Sequence, residues 1–343
     1  MSAESATWGP PYLLYLGNAP DDLAAKTARG VAYWRPEWCV GQVRGPQCRT
    51  SVGVPDMDFA QARAAGARTL LVGVANAGGV MDEATVDDVV AAMEAGLHVA
   101  SGLHQRLADA PRIREAAERL GRVLFDARHP PVLGVGKALP RAGRRLLTVG
   151  TDCSVGKMYT TLALERELRA RALAADFRAT GQTGIFIAGG SGVPIDAVVA
   201  DFISGGAEWI APAREDGGWD LIEGQGSLFH PSFAGVSLGL LHGAQAHALV
   251  LCHEPTRTHM RGLPHYALPS LEDCLAANLQ AARLTSPDVQ AVGVAVDTSR
   301  LSREDAARLC ADIEQRLGLP CQDPVADGVV RIVDRLLETF PQH

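Results

Sequence analysis

The feature that most constrains this chain is the stretch LTVGTDCSVGKMYT, residues 147–160. An apolar run stops at Gly150, a short loop follows, and Gly156-Lys157 opens a segment of helical composition. A strand that passes through such a loop into a helix implies an α/β sheet, with the loop at the strand's carboxyl end. The glycines allow backbone angles that turn several N–H groups inward, and the helix start adds its dipole. Lys157 is then placed to reach distal phosphates. Gly150, Thr151, Asp152, Cys153, Ser154, Val155, Gly156, Lys157, Met158 and Tyr159 therefore form a candidate phosphate-binding set. Met158 stands where a nucleotide hydrolase carries the Ser or Thr that ligates magnesium. A phosphate cradle survives that loss; phosphoryl transfer relies on the metal to neutralise developing charge. Among 32 Lys and Arg residues only Lys26, Lys137 and Lys157 are lysines. A phosphate loop needs such a compact charge rather than a planar fork.

A chain of 343 residues is too long for one modest core. The predicted division is a Rossmann-like N-terminal domain, 1–140, and a P-loop NTPase-like C-terminal domain, 141–343, both with mainly parallel sheets. Residues 12–18 are a predicted strand with a Gly-Asn turn, 69–79 a strand running into a Gly-rich loop, and 97–104 a strand with its loop. Residues 82–96 form an amphipathic helix, with Asp82 as N-cap and Gly96 as its stop. The Pro, Gly and Arg-rich segment 126–145 is predicted to hold a crossing strand and the linker. In the second domain strands are expected at 145–150, 174–181, 219–224, 247–255 and 291–299. Helices are expected at 157–172, 194–205 and 302–317. The GVANAGG loop, 73–79, reads as a strand-end turn with a weak resemblance to a nucleotide turn.

A net charge of −7 opposes binding to a nucleic-acid backbone but leaves room for one basic pocket. The seven cysteines are odd in number and contain no C-x-x-C pair, which points to a reducing cytoplasm rather than a disulfide framework or zinc site. No secretory signal and no membrane-spanning run is expected. His253, His259 and His265 recur every six residues, so they do not share a helical face and no metal site is expected.

Other candidate residues sit at predicted strand ends. In WDLIEGQGSLFHP, 219–231, Glu223 can serve as a base or as a ligand for an amine or metal, and His230 follows it. In ATGQTGIFIAGGSGVPIDAVVADF, 179–202, Gln182 and Thr183 lie in a loop. Asp196 and Asp201 lie on the predicted 194–205 helix, where an acid beside an apolar face can become a base. In LCHEPTRTHMRG, 251–262, Arg257 and Arg261 can grip carboxylates or phosphates, and His253 can act near neutral pH.

The loop GTDCSVGKM resembles the GTDTxVGKT form of dethiobiotin synthetase, a P-loop enzyme whose EGAGG stretch is similar to EGQGS here. Taken together, GTDCSVGKMYTTLALE, the 179–209 segment, EGQGSLFHP and LCHEPTR resemble D-glutamate N-acetyltransferases of the DgcN type. In that family the loop also reads G-K-M, and the resemblance spans nearly the whole chain. It implies acetyl transfer from acetyl-CoA to the amine of D-glutamate, in D-amino-acid catabolism, by a cytoplasmic homodimer. The loop would hold the coenzyme A phosphates without a metal. Asp201, Asp196, Glu223 or His230 would be the base, and Gln182, Thr183, Arg257 and Arg261 would bind substrate. An acetyl-Cys153 relay is conceivable, with direct transfer simpler. Two alternatives stand beside it: an ATP-dependent ligase or kinase acting on a small carboxylate, and a non-enzymatic nucleotide-binding protein.

Overall fold

The computed structural model describes residues 7–74 and 81–341. Within it the chain forms two units, residues 1–129 with 182–194, and residues 130–181 with 195–343. Each is built on a parallel sheet whose central strands are apolar runs buried on both faces, as such sheets require.

The first unit runs β1 (Tyr12–Gly17), α1 (Lys26–Trp34), β2 (Cys39–Arg44), α2 (Phe59–Ala64), β3 (Thr69–Val72), α3 (Glu83–Glu94), β4 (His98–Ser101), α4 (Pro111–Leu120) and β5 (Leu124–Asp126). The strand order is β2-β1-β3-β4-β5, all parallel. Asp82 caps α3 by accepting from the Thr85 N–H at 2.8 Å, as its position predicts. Residues 75–79 of the GVANAGG loop lie outside the described residues.

The second unit holds β6 (Arg144–Gly150), α5 (Lys157–Ala170) and β7 (Ala175–Arg178). The chain then lends α6 (Gln182–Ile187) to the first unit, where Phe186 meets Trp8 edge-on at 6.3 Å. It continues with α7 (Ile203–Ile210), β8 (Trp219–Ile222), α8 (Ala234–Ala244), β9 (Ala248–His253), a hairpin of β10 (His259–Met260) and β11 (Leu263–Ala267), and α9 (Leu271–Ala282). β12 (Gln290–Val296), α10 (Arg303–Leu317), β13 (Cys321–Gln322) and α11 (Val330–Thr339) complete it. The sheet order is β13-β12-β9-β6-β8-β7, again all parallel. The chain leaves β6 toward β7 on one side and leaves its neighbour β9 toward β12 on the other. The connections therefore diverge between neighbouring strands, which opens a crevice at their carboxyl ends.

Two expectations are corrected. Residues 194–205 are not one helix: the described backbone makes short 3-10 turns at Ile195–Ala197 and Ala200–Phe202, and α7 starts only at Ile203. Val199 is extended (φ −58°, ψ 137°), which interrupts the helical hydrogen bonds, and the β-branched pair Val198-Val199 lowers the helix preference. The segment 126–145 carries no crossing strand between Asp126 and Arg144. Its prolines lack the N–H that a ladder needs, and Val132 is fully exposed. Among the described residues no helix is long and apolar enough to cross a membrane.

Candidate active site

The loop after β6 leaves a run of backbone donors unspent. Ser154 (φ +53°) and Gly156 (φ +91°) take left-handed angles, so the peptide planes turn and the N–H groups converge. Among the described residues, the backbone N–H groups of Ser154, Val155, Gly156, Lys157 and Met158 donate to no protein acceptor. Lys157 and Met158 open a helix, whose first N–H groups have no intrahelical acceptor, so the run offers consecutive donors to an anion. Lys157 is buried and donates from Nζ to the Asp152 carbonyl at 2.8 Å. Burial holds its ammonium below the usual lysine range. The hydroxyls that follow Met158 on the helix are committed inward: Thr160 Oγ1 donates to the Gly156 carbonyl at 3.0 Å and Thr161 Oγ1 to that of Lys157 at 2.8 Å.

The loop is fastened from below and from one side. Asp152 is completely buried; its Oδ1 accepts from the Cys153 N–H at 2.6 Å. Its Oδ2 accepts from Arg257 Nη1 at 2.6 Å and from the Arg261 N–H at 2.7 Å. Arg257 also donates to the Cys153 and Ser154 carbonyls, and Arg261 to the Ser154 hydroxyl. The two arginines considered for substrate binding are thus placed on the loop itself. Thr151 Oγ1 lies 3.0 Å from His253 Nδ1, and burial holds that imidazole below its usual range.

Asp152, Cys153 and His230 bring possible ligand atoms within 4.8 Å of one another. The Asp152 oxygens and the His230 nitrogens are engaged internally. His230 Nδ1 accepts from the Ser232 N–H at 3.2 Å, and Nε2 faces the Arg261 carbonyl at 3.2 Å and so carries the proton. Burial pushes the Cys153 thiol up, against the pull of Lys157, Arg261 and Arg257.

Glu223 follows β8, across from this loop. The approach of the two strands is close: a Cβ at Gly224 would stand 1.7 Å from the Thr148 carbonyl oxygen and 3.0 Å from Lys157 Cδ. The Glu223 side chain is buried, with Oε2 accepting from the Thr180 and Gly181 N–H groups at 3.0 and 3.2 Å. Oε1 makes no hydrogen bond among the described residues and reaches solvent. Burial raises this carboxyl to about 7, helped by the Asp196 charge and opposed by the two amides and Lys157. Asp196 is exposed on its 3-10 turn and within electrostatic reach of Glu223; Asp201 is exposed on the next turn. Gln182 and Thr183 begin α6 in the first unit, where Thr183 Oγ1 lies 3.2 Å from Thr27 Oγ1. Of the acids considered from sequence, Glu223 is the one that combines burial, a fixed oxygen and an open one.

Residues 132–333 match the family model "Domain of unknown function (DUF1611_C) P-loop domain", and residues 40–130 match "Domain of unknown function (DUF1611_N) Rossmann-like domain". A D-glutamate N-acetyltransferase from Tritonibacter scottomollicae is 51% identical over 95% of this chain and 98% of its own. One from a Pseudoalteromonas species is 50% identical, with the same coverage of 95% and 98%. The crystal structure of a DUF1611 family protein from Anabaena variabilis superposes with a TM-score of 0.85 at 30% identity, over 95% of this chain and 99% of that one. With both halves matched and relatives this similar along their length, the chain belongs to the DUF1611 family, and so to the family of these two D-glutamate N-acetyltransferases.

Proposed function

We propose that this protein is an N-acetyltransferase that moves an acetyl group from acetyl-CoA to the amine of D-glutamate, the activity for which its relatives are named. The observation that carries the reading is a run of unpartnered loop amides facing a buried carboxylate that is half-protonated near neutral pH. The amides of Ser154 to Met158 and the Lys157 ammonium hold the phosphates of the acyl carrier. That is binding, and needs no phosphate bond to break. Glu223 Oε1 takes a proton from the substrate ammonium, which frees the nitrogen lone pair. The amine then attacks the thioester carbonyl: the N–C bond forms, the C–S bond breaks, the coenzyme leaves as its thiol after receiving the proton held on Glu223, and the second proton shed by the nitrogen passes to solvent. A base acts in its ionised form, so kcat/KM rises with pH through about 7, the value to which burial lifts Glu223.

The test is thiol release from acetyl-CoA in the presence of a panel of D- and L-amino acids. D-Glutamate should stimulate release, with mass spectrometry showing N-acetyl-D-glutamate. A purified, folded protein that no D-amino acid stimulates overturns the proposal.

A further inference from the structure

Beside Glu223 stands a side chain that the acetyl-transfer reading leaves unused. Gln225 Nε2 donates to Thr180 Oγ1 at 3.1 Å. Thr180 Oγ1 spends its one proton on the Glu223 carbonyl at 2.7 Å, so toward Gln225 it can only accept. This chain of donors fixes the amide: the NH2 end faces Thr180 and the carbonyl oxygen Oε1 faces away. Gln225 Oε1 makes no hydrogen bond among the described residues and is open to solvent. The side chain is also close to the carboxylate. A Cβ at Gly181 would stand 2.9 Å from Gln225 Nε2 and 3.4 Å from Glu223 Oε1, so both groups converge over the bare Cα of that glycine. An acceptor held in one orientation, with its lone pairs unspent, on a side chain whose NH2 end stands near Glu223 suits a second N–H of the same amine.

We propose that Gln225 binds the acceptor amine, its carbonyl oxygen taking one N–H of the substrate ammonium while Glu223 Oε1 takes another. The proposal rests on the acetyl-transfer reading above. Two acceptors set the nitrogen's direction; one would leave it free to rotate about a single hydrogen bond.

The test is Gln225→Met, which keeps length and removes both polar ends. The KM for D-glutamate should rise about tenfold or more, the size of one lost hydrogen bond to a charged group. The KM for acetyl-CoA should stay within about twofold, and so should inhibition by glutarate, the same dicarboxylate without an amine. The acid limb of kcat/KM should keep its pH, since Glu223 retains its amide contacts. A KM for D-glutamate that stays within twofold overturns the proposal. So does a rise shared equally by acetyl-CoA, which would mean that the whole site had loosened. If the variant fails to fold, Gln225→Asn withdraws the carbonyl by one methylene and is read in the same way. Wild-type protein without D-glutamate activity would remove the acetyl-transfer reading and this inference with it; an active wild type with an insensitive Gln225→Met removes this inference alone.

Discussion

The two sheets share a plan and differ at the same point in it. In the first, β1 and β3 are neighbours whose connections lead away from each other; in the second, β6 and β9 are. Both therefore have a crevice at a change of direction. After β1 the turn uses its own polar groups. Ala19 N–H donates to the Leu16 carbonyl, Gly45 N–H to that of Gly17, and Gln47 N–H to Asn18 Oδ1. After β6, five successive N–H groups are left without a protein acceptor among the described residues. A parallel sheet thus supplies the place for a site, and the site itself depends on where the backbone donors go.

The largest expected break in this comparison is at the base. Glu223→Gln should lower kcat by about 10²–10⁴-fold, as removal of a general base does, with a steady-state assay as the check. Next is Lys157→Ala, which should raise the KM for acetyl-CoA by about 10–100-fold, the loss of one charge-assisted contact. An unchanged KM would place the carrier elsewhere and erase the distinction between the two crevices. A third pair treats the sheets alike. Gly224→Ala sets a Cβ 1.7 Å from a carbonyl and Gly73→Ala sets one 2.4 Å from Ala28 Cβ. Each should cost about 1–3 kcal/mol or more in urea unfolding, Gly224→Ala the more.

The fourth sharpens the electrostatic side. The folded-state pKa of Glu223 is raised above that of the unfolded chain, so the folded protein keeps a proton that the unfolded one releases. Stability from this group therefore falls as pH rises from about 4.5 to about 7, by a total on the order of 3 kcal/mol. Glu223→Gln should accordingly be more heat-stable than wild type at pH 8 and equal to it at pH 4, as thermal melting would show. The smallest effect belongs to the first crevice: Asn18→Ala should leave both KM values within about twofold while costing about 1 kcal/mol of stability.

The phosphate loop was legible because its parts are contiguous: strand, glycines, lysine and helix all fall within 147–160. The parallel sheets were legible from their apolar runs for the same reason. The choice among acids was not. Glu223, Asp196 and Asp201 look alike in sequence, and what separates them is burial that depends on Thr180, 43 residues from Glu223. The 194–205 helix failed because an apolar rhythm does not report that one valine in it is extended. Gln225 carried no reading in the sequence, since the direction its amide faces depends on which way a distant hydroxyl donates.

The fastening of Asp152 also sets an order in time. Its partner Arg257 lies 105 residues further along the chain. At about 5–20 residues per second of synthesis, the loop exists for roughly 5–20 s before the guanidinium that neutralises its buried carboxylate has been made. The newborn loop must wait, with Asp152 turned to water, until the β9–β10 connection emerges. Its finished shape is therefore a late event in the life of each molecule, and a nascent chain stalled before Arg257 should bind coenzyme A more weakly than the complete protein.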